Sequence, residues 1–420
     1  MIPNLTSEFN KIFVDELRAA AEKVLSDFMR SKLQSEGLDP DAFPMEEFAN
    51  HFFSESDQDF TWNSDQADAE SKSIVLDTND VETLSEQLER LLDGSTSLYQ
   101  KGVEDAARGL VRQLEKDWPE QEAWNSQELH GFKKRLLLHW GTPLTLFRIL
   151  LQCAEDIFAD YEAALQRSRA RSGIVLREVL LSIQARTLRT SRAVLLLLEN
   201  GLADDAYARW RTLYELNVFA TLIADNGDDA AARYRDHEFV DLKKAMDNEL
   251  NWGAQIPKRT QKRIRNDYAA VLKIYGADFR HPNAWASPFV SGNNKSPKFS
   301  HIEKAAYNRD HPVPPYKESS LQVHGGRLGV RGLGSSDEQI AAGHSNLGLE
   351  IPLMHSALAL AQITQLLLNT MRRKNVQIMY AILMLERKID TEARKAARKL
   401  VRDERAIRRA EAEEEAKRKP

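Results

Sequence analysis

Across its 420 residues the chain has one cysteine, Cys153. One thiol cannot build a disulfide framework or a multi-cysteine zinc or iron–sulfur site, and such scarcity suits a reducing, cytoplasmic setting. No nucleophile signature surrounds Cys153, so a buried, inert thiol is expected there. The sequence also lacks His-Glu-x-x-His. His237-Glu238, with Asp236 and Asp241 close by, has no second ligand cluster at useful spacing, so neither a metal nor any other cofactor is expected. Met1 to Phe13 carries Glu8 and Lys11 where a secretory signal needs an apolar run. Alternating strand-like runs are almost missing; Ser73–Leu76 is too short to found a sheet. Long apolar runs are equally scarce. Ile351–Met371 is interrupted by Pro352, His355, Gln362 and Gln365, which marks a core helix and no membrane partner.

What is present is enough to fold. Hydrophobic residues make up 42% and aromatics 8%, a composition that builds a core, and the length suggests two or three units. The net charge of −5 conceals an asymmetry: residues 1–120 carry 27 Asp/Glu against 11 Lys/Arg, whereas residues 121–420 carry 36 against 47. Either the surface charge is simply uneven, or two such parts hold each other in an intramolecular contact, or the basic part faces a polyanion.

Helical periodicity organises the chain. Phe9, Ile12, Phe13, Leu17, Ala20, Val24, Phe28 and Met29 define a first helix behind Thr6 and Ser7, stopped at Gly37. A polar loop is expected near Asn63–Ser73. Asn79 and Glu82 form a capping-box pattern opening Val81–Leu92. Helical stretches follow over Leu98–Trp118, to Pro119, and Gln121–Trp140, to Gly141 and Pro143. Then come Leu144–Ala170, Ile174–Asn200, Ala203–Asp225 (closed by Asn226-Gly227), Asp228–Leu250 and Pro257–Tyr275. Ala277–Asp337 is rich in Pro, Gly, Asn and His. After Leu385 there are 13 Lys/Arg and 9 Asp/Glu but few large apolar residues, as in a solvated helix without a core of its own. The expected fold is all-α: a multi-helix bundle with an irregular Gly/Pro-rich insertion and a charged C-terminal helical tail. Its parts are an acidic N-terminal helical region (1–142), a helical core with the candidate site (143–375) and the tail (376–420). Glu386–Lys419 offers a route to a homo-oligomer.

Candidate chemistry lies in three places. Ala203–Asp225 is apolar nearly all round, which implies burial, yet Arg211 and Glu215 share one face. Charges in such a helix form either a structural network or a polar pocket; if the pair is buried, Arg211→Ala is expected to cost ~3–5 kcal/mol. On the preceding helix Arg186, Arg189 and Arg192 lie on one arc, either a solvated face or a phosphate cradle. Tyr316 to His324 runs into Gly325-Gly326-Arg327-Leu-Gly329-Val-Arg331-Gly332-Leu-Gly334. That loop has no Gly-Lys-Ser/Thr ending, which excludes P-loop nucleotide hydrolysis, while His324 beside Arg327 and Arg331 has the makings of a general acid/base near phosphate. A basic run, Pro257-Lys-Arg-Thr-Gln-Lys-Arg-Ile-Arg265, opens another helix against the helix dipole. Lys258, Arg259, Lys262 and Arg263 there face either nucleic-acid phosphate or the acidic N-terminal region.

Arg211-Thr-Leu-Tyr-Glu215, preceded by Ala206-Tyr-Ala-Arg209, resembles the Arg-x-x-x-Glu signature of a bacterial family labelled domain of unknown function 5677. Ser320-Leu-Gln-Val-His324 is similar to that family's later Ser-x-x-x-His segment. The resemblance covers Leu176 to Asn369. It implies a helical layout like that of HEPN ribonucleases and toxins, which cut RNA without metal and often serve in defence. Those enzymes place four to six residues between an Arg and a His; Arg233 and His237 have three between them. Two functions follow as expectations. One is an RNA-directed effector in which His324 moves the proton, Arg211 stabilises developing charge and Glu215 holds Arg211. The other is a non-catalytic scaffold or nucleic-acid-binding partner in which the Arg–Glu pair is structural.

Overall fold

A computed structural model describes residues 5–54, 60–62, 74–93, 95–167, 172–292, 294–308, 314–323, 332–335, 342–371 and 375–418. Among them there is no β-strand: the fold is all-α. The helices are α1 (Leu5–Ser35), α2 (Met45–Phe52), α3 (Thr78–Asp93), α4 (Ser95–Gln166), α5 (Ile174–Glu199), α6 (Ala203–Asp236), α7 (Glu238–Asn251), α8 (Lys258–Tyr275), α9 (Phe299–Tyr307), α10 (Pro314–Leu321), α11 (Glu350–Asn369) and α12 (Val376–Arg418). The chain forms two compact units, Met1–Glu128 and Leu129–Pro420.

The N-terminal unit has its own small core. Leu25, Met29 and Leu33 of α1 meet Phe43, Phe48 and Leu84, and Phe43 and Phe48 contact edge to face with ring centroids 5.5 Å apart, a favoured aromatic geometry. The cap of α3 falls two residues earlier than Asn79 and Glu82 suggest. Asp77 Oδ1 accepts from the Asp80 amide at 2.9 Å and Asp80 Oδ2 from the Asp77 amide at 3.1 Å. Both patterns satisfy free amides at a helix start, but only Asp80 also reaches Lys32 Nζ, at 2.6 Å. The polar loop expected near Asn63–Ser73 lies outside the described residues.

Two expected breaks are overridden. Helix α4 continues through Pro119, Gly141 and Pro143. An internal proline removes one hydrogen bond and costs about 3 kcal/mol, but Pro143 is buried. Leu136, Trp140, Leu144, Phe147 and Leu150 flank it at helical spacing and are almost fully buried; each such side chain contributes about 1.5–3 kcal/mol on burial. Gly227 behaves differently. The helical stretch continues to Asp236, but Gly227 has φ 69 and ψ −149, a conformation open essentially to glycine alone, so the chain kinks there as the Asn-Gly pair suggests. Just beyond the kink, Asp228 caps α5 from a neighbouring element, accepting from the amides of Gly173 at 2.8 Å and Leu176 at 2.9 Å.

The core of the C-terminal unit is built around α6, which packs against α5, α9, α10 and α11. Helix α11 is long and apolar enough to cross a membrane by length and composition, but Leu353, Leu360, Ile363 and Leu367 are buried in this core. The charged tail also belongs to it as far as Leu400. Ile382, Ile389, Ala393, Ala396 and Leu400 of α12 are buried, and His139 Nε2 of α4 lies 2.9 Å from Asp403 Oδ2. The expectation of a solvated helix therefore holds only for its last turns, exposed from Arg405 through Glu414; the rest of the tail shares the core of the C-terminal unit. Sparse apolar positions suffice because Ala393 and Ala396 bury little area yet let the helices approach closely.

This packing predicts that Ile389→Ala lowers unfolding free energy by about 2–5 kcal/mol. Arg405→Ala, in the exposed part, stays within about 0.5 kcal/mol. Urea unfolding followed by circular dichroism measures both, and equal small effects would refute the docked tail.

Candidate functional site

Helix α6 is apolar because it is enclosed, but one edge faces α10. Tyr207, Arg211 and Glu215 recur at intervals of four, so they share that edge. Each has a partner in α10. The Tyr207 hydroxyl donates to the Pro315 carbonyl at 2.8 Å. Arg211 donates from Nε to Glu215 Oε1, from Nη1 to Ser320 Oγ and from Nη2 to the Tyr316 hydroxyl, each at 3.1 Å. The Tyr316 hydroxyl donates in turn to Glu215 Oε1 at 2.6 Å. The Arg211 guanidinium also sits 4.9 Å from the centre of the Tyr316 ring, within cation–π range.

The pair is only half-buried. The side chains of Arg211 and Glu215 are 27% and 34% exposed, so the full cost of a buried charge expected from the apolar helix does not apply: solvent screens the interaction. Three of the five guanidinium donors are used here, which among the described residues leaves two for a ligand. Burial pulls Arg211 down, but its bond to Glu215 and the neighbouring Tyr316 outweigh this and hold it above its ordinary value. Burial, then the Glu215 carboxylate that accepts its proton, pushes Tyr316 well up. The site is thus a guanidinium cation, a carboxylate acceptor and a phenol that keeps its proton.

The glycine-rich segment meets the same helix farther along. The Leu333 amide donates to Asp204 Oδ1 at 2.6 Å. Gly332 has φ +69, and a Cβ there would lie 2.6 Å from Asp204 Oδ2, so only glycine fits this close approach. Ser320 at Arg211 and Leu333 at Asp204 therefore anchor the two sides of the segment on one helix, seven residues or about 10 Å apart. His324, Arg327 and Arg331 themselves lie outside the described residues.

The other basic candidates stand apart from this cluster. Arg186, Arg189 and Arg192 are exposed on α5, and Arg192 Nε pairs with Glu155 Oε1 at 2.6 Å. Lys258, Arg259, Lys262 and Arg263 are exposed on α8. Arg233 and His237 have structural partners instead: Arg233 Nε donates to the Trp285 carbonyl at 3.1 Å, and His237 Nε2 lies 3.0 Å from the His281 carbonyl. Cys153 is half-buried, with its thiol pushed up by burial and by Asp156.

Sequence reasoning named Arg211 and Glu215 but missed Tyr316 as the hub joining them to α10. The available signal was its position four residues before Ser320, which places both on one helical face. In the sequence, His355 of α11 stands out only as an interruption of an apolar face. Its ring packs 5.0 Å from that of Trp210, and burial followed by Arg394 holds its pKa below the usual value.

Residues 177–340 match the family model described as Family of unknown function (DUF5677). The match contains both Arg211-x-x-x-Glu215 and Ser320-x-x-x-His324 and ends short of α11, so it is narrower than the stretch to Asn369 marked by the sequence resemblance. No curated protein and no solved structure matches the chain.

Raised in the folded state, the Tyr316 phenol holds its proton more tightly there than in the unfolded chain. Its contribution to stability is complete below the ordinary tyrosine value near pH ~10 and fades as pH rises through the raised one. Tyr316→Phe is predicted to lower unfolding free energy by about 1–2 kcal/mol at neutral pH and to flatten the alkaline loss of stability. Urea titrations at a series of pH values test this; wild-type behaviour in the variant would remove Tyr316 from the network.

Proposed function

We propose that the protein is an RNA-directed helical effector in which Arg211, Glu215 and His324 form a metal-independent ribonuclease site. The observation that carries the reading is the meeting of the two short motifs. Arg211 bonds Ser320 across 109 residues of sequence, and the anchors on either side of His324 both lie on the helix that bears Arg211. A half-exposed guanidinium with two donors to spare suits a phosphodiester, whose oxygens accept charge-assisted bonds.

In this reading His324 takes the proton from an attacking 2′-hydroxyl. The 2′-oxygen–phosphorus bond forms as the bond to the 5′-oxygen breaks, and the proton passes to that oxygen. Arg211 stabilises the charge that grows on phosphorus-bound oxygens; Glu215 and Tyr316 orient Arg211 and Ser320 braces it. The products are a 2′,3′-cyclic phosphate and a free 5′-hydroxyl, so no outside reactant is needed. HEPN-like kinship, a cytoplasmic setting and a role in bacterial defence accompany the proposal.

A second reading is favoured by the same bonds seen from the other side. Three Arg211 donors are committed within the chain and tie α10 to α6, as they would in a non-catalytic scaffold. The two readings separate on His324, which the scaffold does not use.

Incubation of purified protein with labelled RNA is expected to yield cyclic-phosphate ends, and His324→Ala is expected to slow cleavage about 10²–10⁴-fold with an unchanged melting temperature. If His324→Ala cuts as fast as a cleaving wild type, the Arg211–Glu215–His324 site is overturned; if the wild type cuts no RNA, the scaffold reading stands. Arg211→Ala then shows only a stability loss of about 1–2 kcal/mol, reduced from the fully buried case by solvent screening.

A further inference from the structure

A second surface is marked by side chains that the Arg211 site does not use. Helix α7 ends at Trp252, and the chain turns through residues 253–257 into α8. Trp252 is 92% exposed, an unusual placement for the largest side chain, which is normally well buried. Beyond the turn, the first half of α8 carries Lys258, Arg259, Lys262, Arg263 and Arg265, all exposed. None of the five is in an ion pair among the described residues; Arg265 donates only to Gln261, at 3.1 Å.

Helix geometry gathers these cations on one side. Ile264, Tyr268 and Val271 turn inward, with Val271 buried and the other two half-buried. At 100° per residue, Lys262 and Arg259 lie opposite them, flanked by Lys258 and Arg265 on one side and Arg263 on the other, so the five span the outward half of the helix. Cations in the first turns of a helix oppose its dipole, worth about 0.3–1 kcal/mol each, and no ion pair among the described residues offsets this. Folding therefore gains nothing from this arrangement, whereas a polyanion does. The neighbouring exposed indole narrows the polyanion's chemistry: an acidic polypeptide offers a flat π-face only at its occasional aromatic residues, whereas every unpaired nucleotide offers one beside its phosphate, and base–aromatic stacking is the usual companion of a basic groove in single-strand binding. A membrane surface fits less well, because an interfacial helix needs a broad apolar face and the outward side of α8 between Lys258 and Asn266 is charged or polar.

We propose that the corner between α7 and α8 binds single-stranded nucleic acid, with phosphates on Lys258, Arg259, Lys262, Arg263 and Arg265 and a base stacked on Trp252. The site is separate from the Arg211 cluster and does not depend on cleavage there.

A labelled oligodeoxythymidylate tests it independently of cleavage, since DNA lacks the 2′-hydroxyl required by the ribonuclease reading. Fluorescence anisotropy over a salt series is expected to show binding whose log–log salt slope falls by about 1.4 when Lys258 and Lys262 are both replaced by Gln, at about 0.7 per phosphate contact. Trp252→Ala is expected to weaken binding about 5- to 100-fold, Trp252→Phe much less. A blunt duplex of the same length should bind more weakly than the single strand. Circular dichroism should show all variants folded, because every changed side chain is on the surface. Overturning results are no binding by wild type, an affinity untouched by Trp252→Ala, equal displacement by polyglutamate and oligonucleotide, or a preference for anionic phosphatidylserine vesicles.

Discussion

The C-terminal unit depends on the enclosure of helix α6. Trp210, Leu213, Val218 and Ile223 are almost fully buried, and a helix apolar on so many sides must be surrounded to be stable. Helices α5, α9, α10 and α11 supply that enclosure. Each enclosing element brings polar groups with it, and these must find partners once water is excluded. Tyr214 with Glu303, Asn217 with Gln362 and Arg211 with Tyr316 and Ser320 are such partnerships. The candidate site is thus continuous with the packing: the same bonds that seat α10 on α6 bring together the two motif segments.

That continuity explains why one network supports a chemical and a structural reading. A guanidinium held by a carboxylate, a phenol and a hydroxyl is rigid, and rigidity serves a brace and an electrostatic catalyst equally. Its half-exposure, and two donors unused among the described residues, favour chemistry; its three bonds within the chain favour bracing. The surface formed by α7 and α8 is of another kind, since among the described residues its cations form no ion pair and its indole is almost fully exposed.

Much of the fold was legible because helical periodicity is a local property. The positions of α1, α5, α8 and α11 follow from apolar spacing and from breakers such as Gly37. Where local signals failed, a packing term larger than the local penalty had intervened. Pro143 marks a helix end by its missing amide, yet the buried side chains around it carry α4 through. In α12 the density of charge suggests solvent, but Ile389, Ala393 and Leu400 at helical spacing are enough to dock it. The capping pattern at Asn79 and Glu82 was sound chemistry two residues out of place, because Lys32 on another helix selects Asp80.

By itself the amino-acid order determined the all-α class, the acidic-to-basic drift along the chain, the kink at Gly227 and the pairing of Arg211 with Glu215, each a matter of neighbours within a few residues. Tertiary structure alone decided that Tyr316 and Ser320 complete that pair, that the pair is half-open to solvent, and that Trp252 stays outside while other tryptophans such as Trp140 and Trp210 are enclosed. Those outcomes depend on which surfaces meet after distant segments pack. Contacts separated by a hundred residues leave no periodic trace in the order of the side chains that make them.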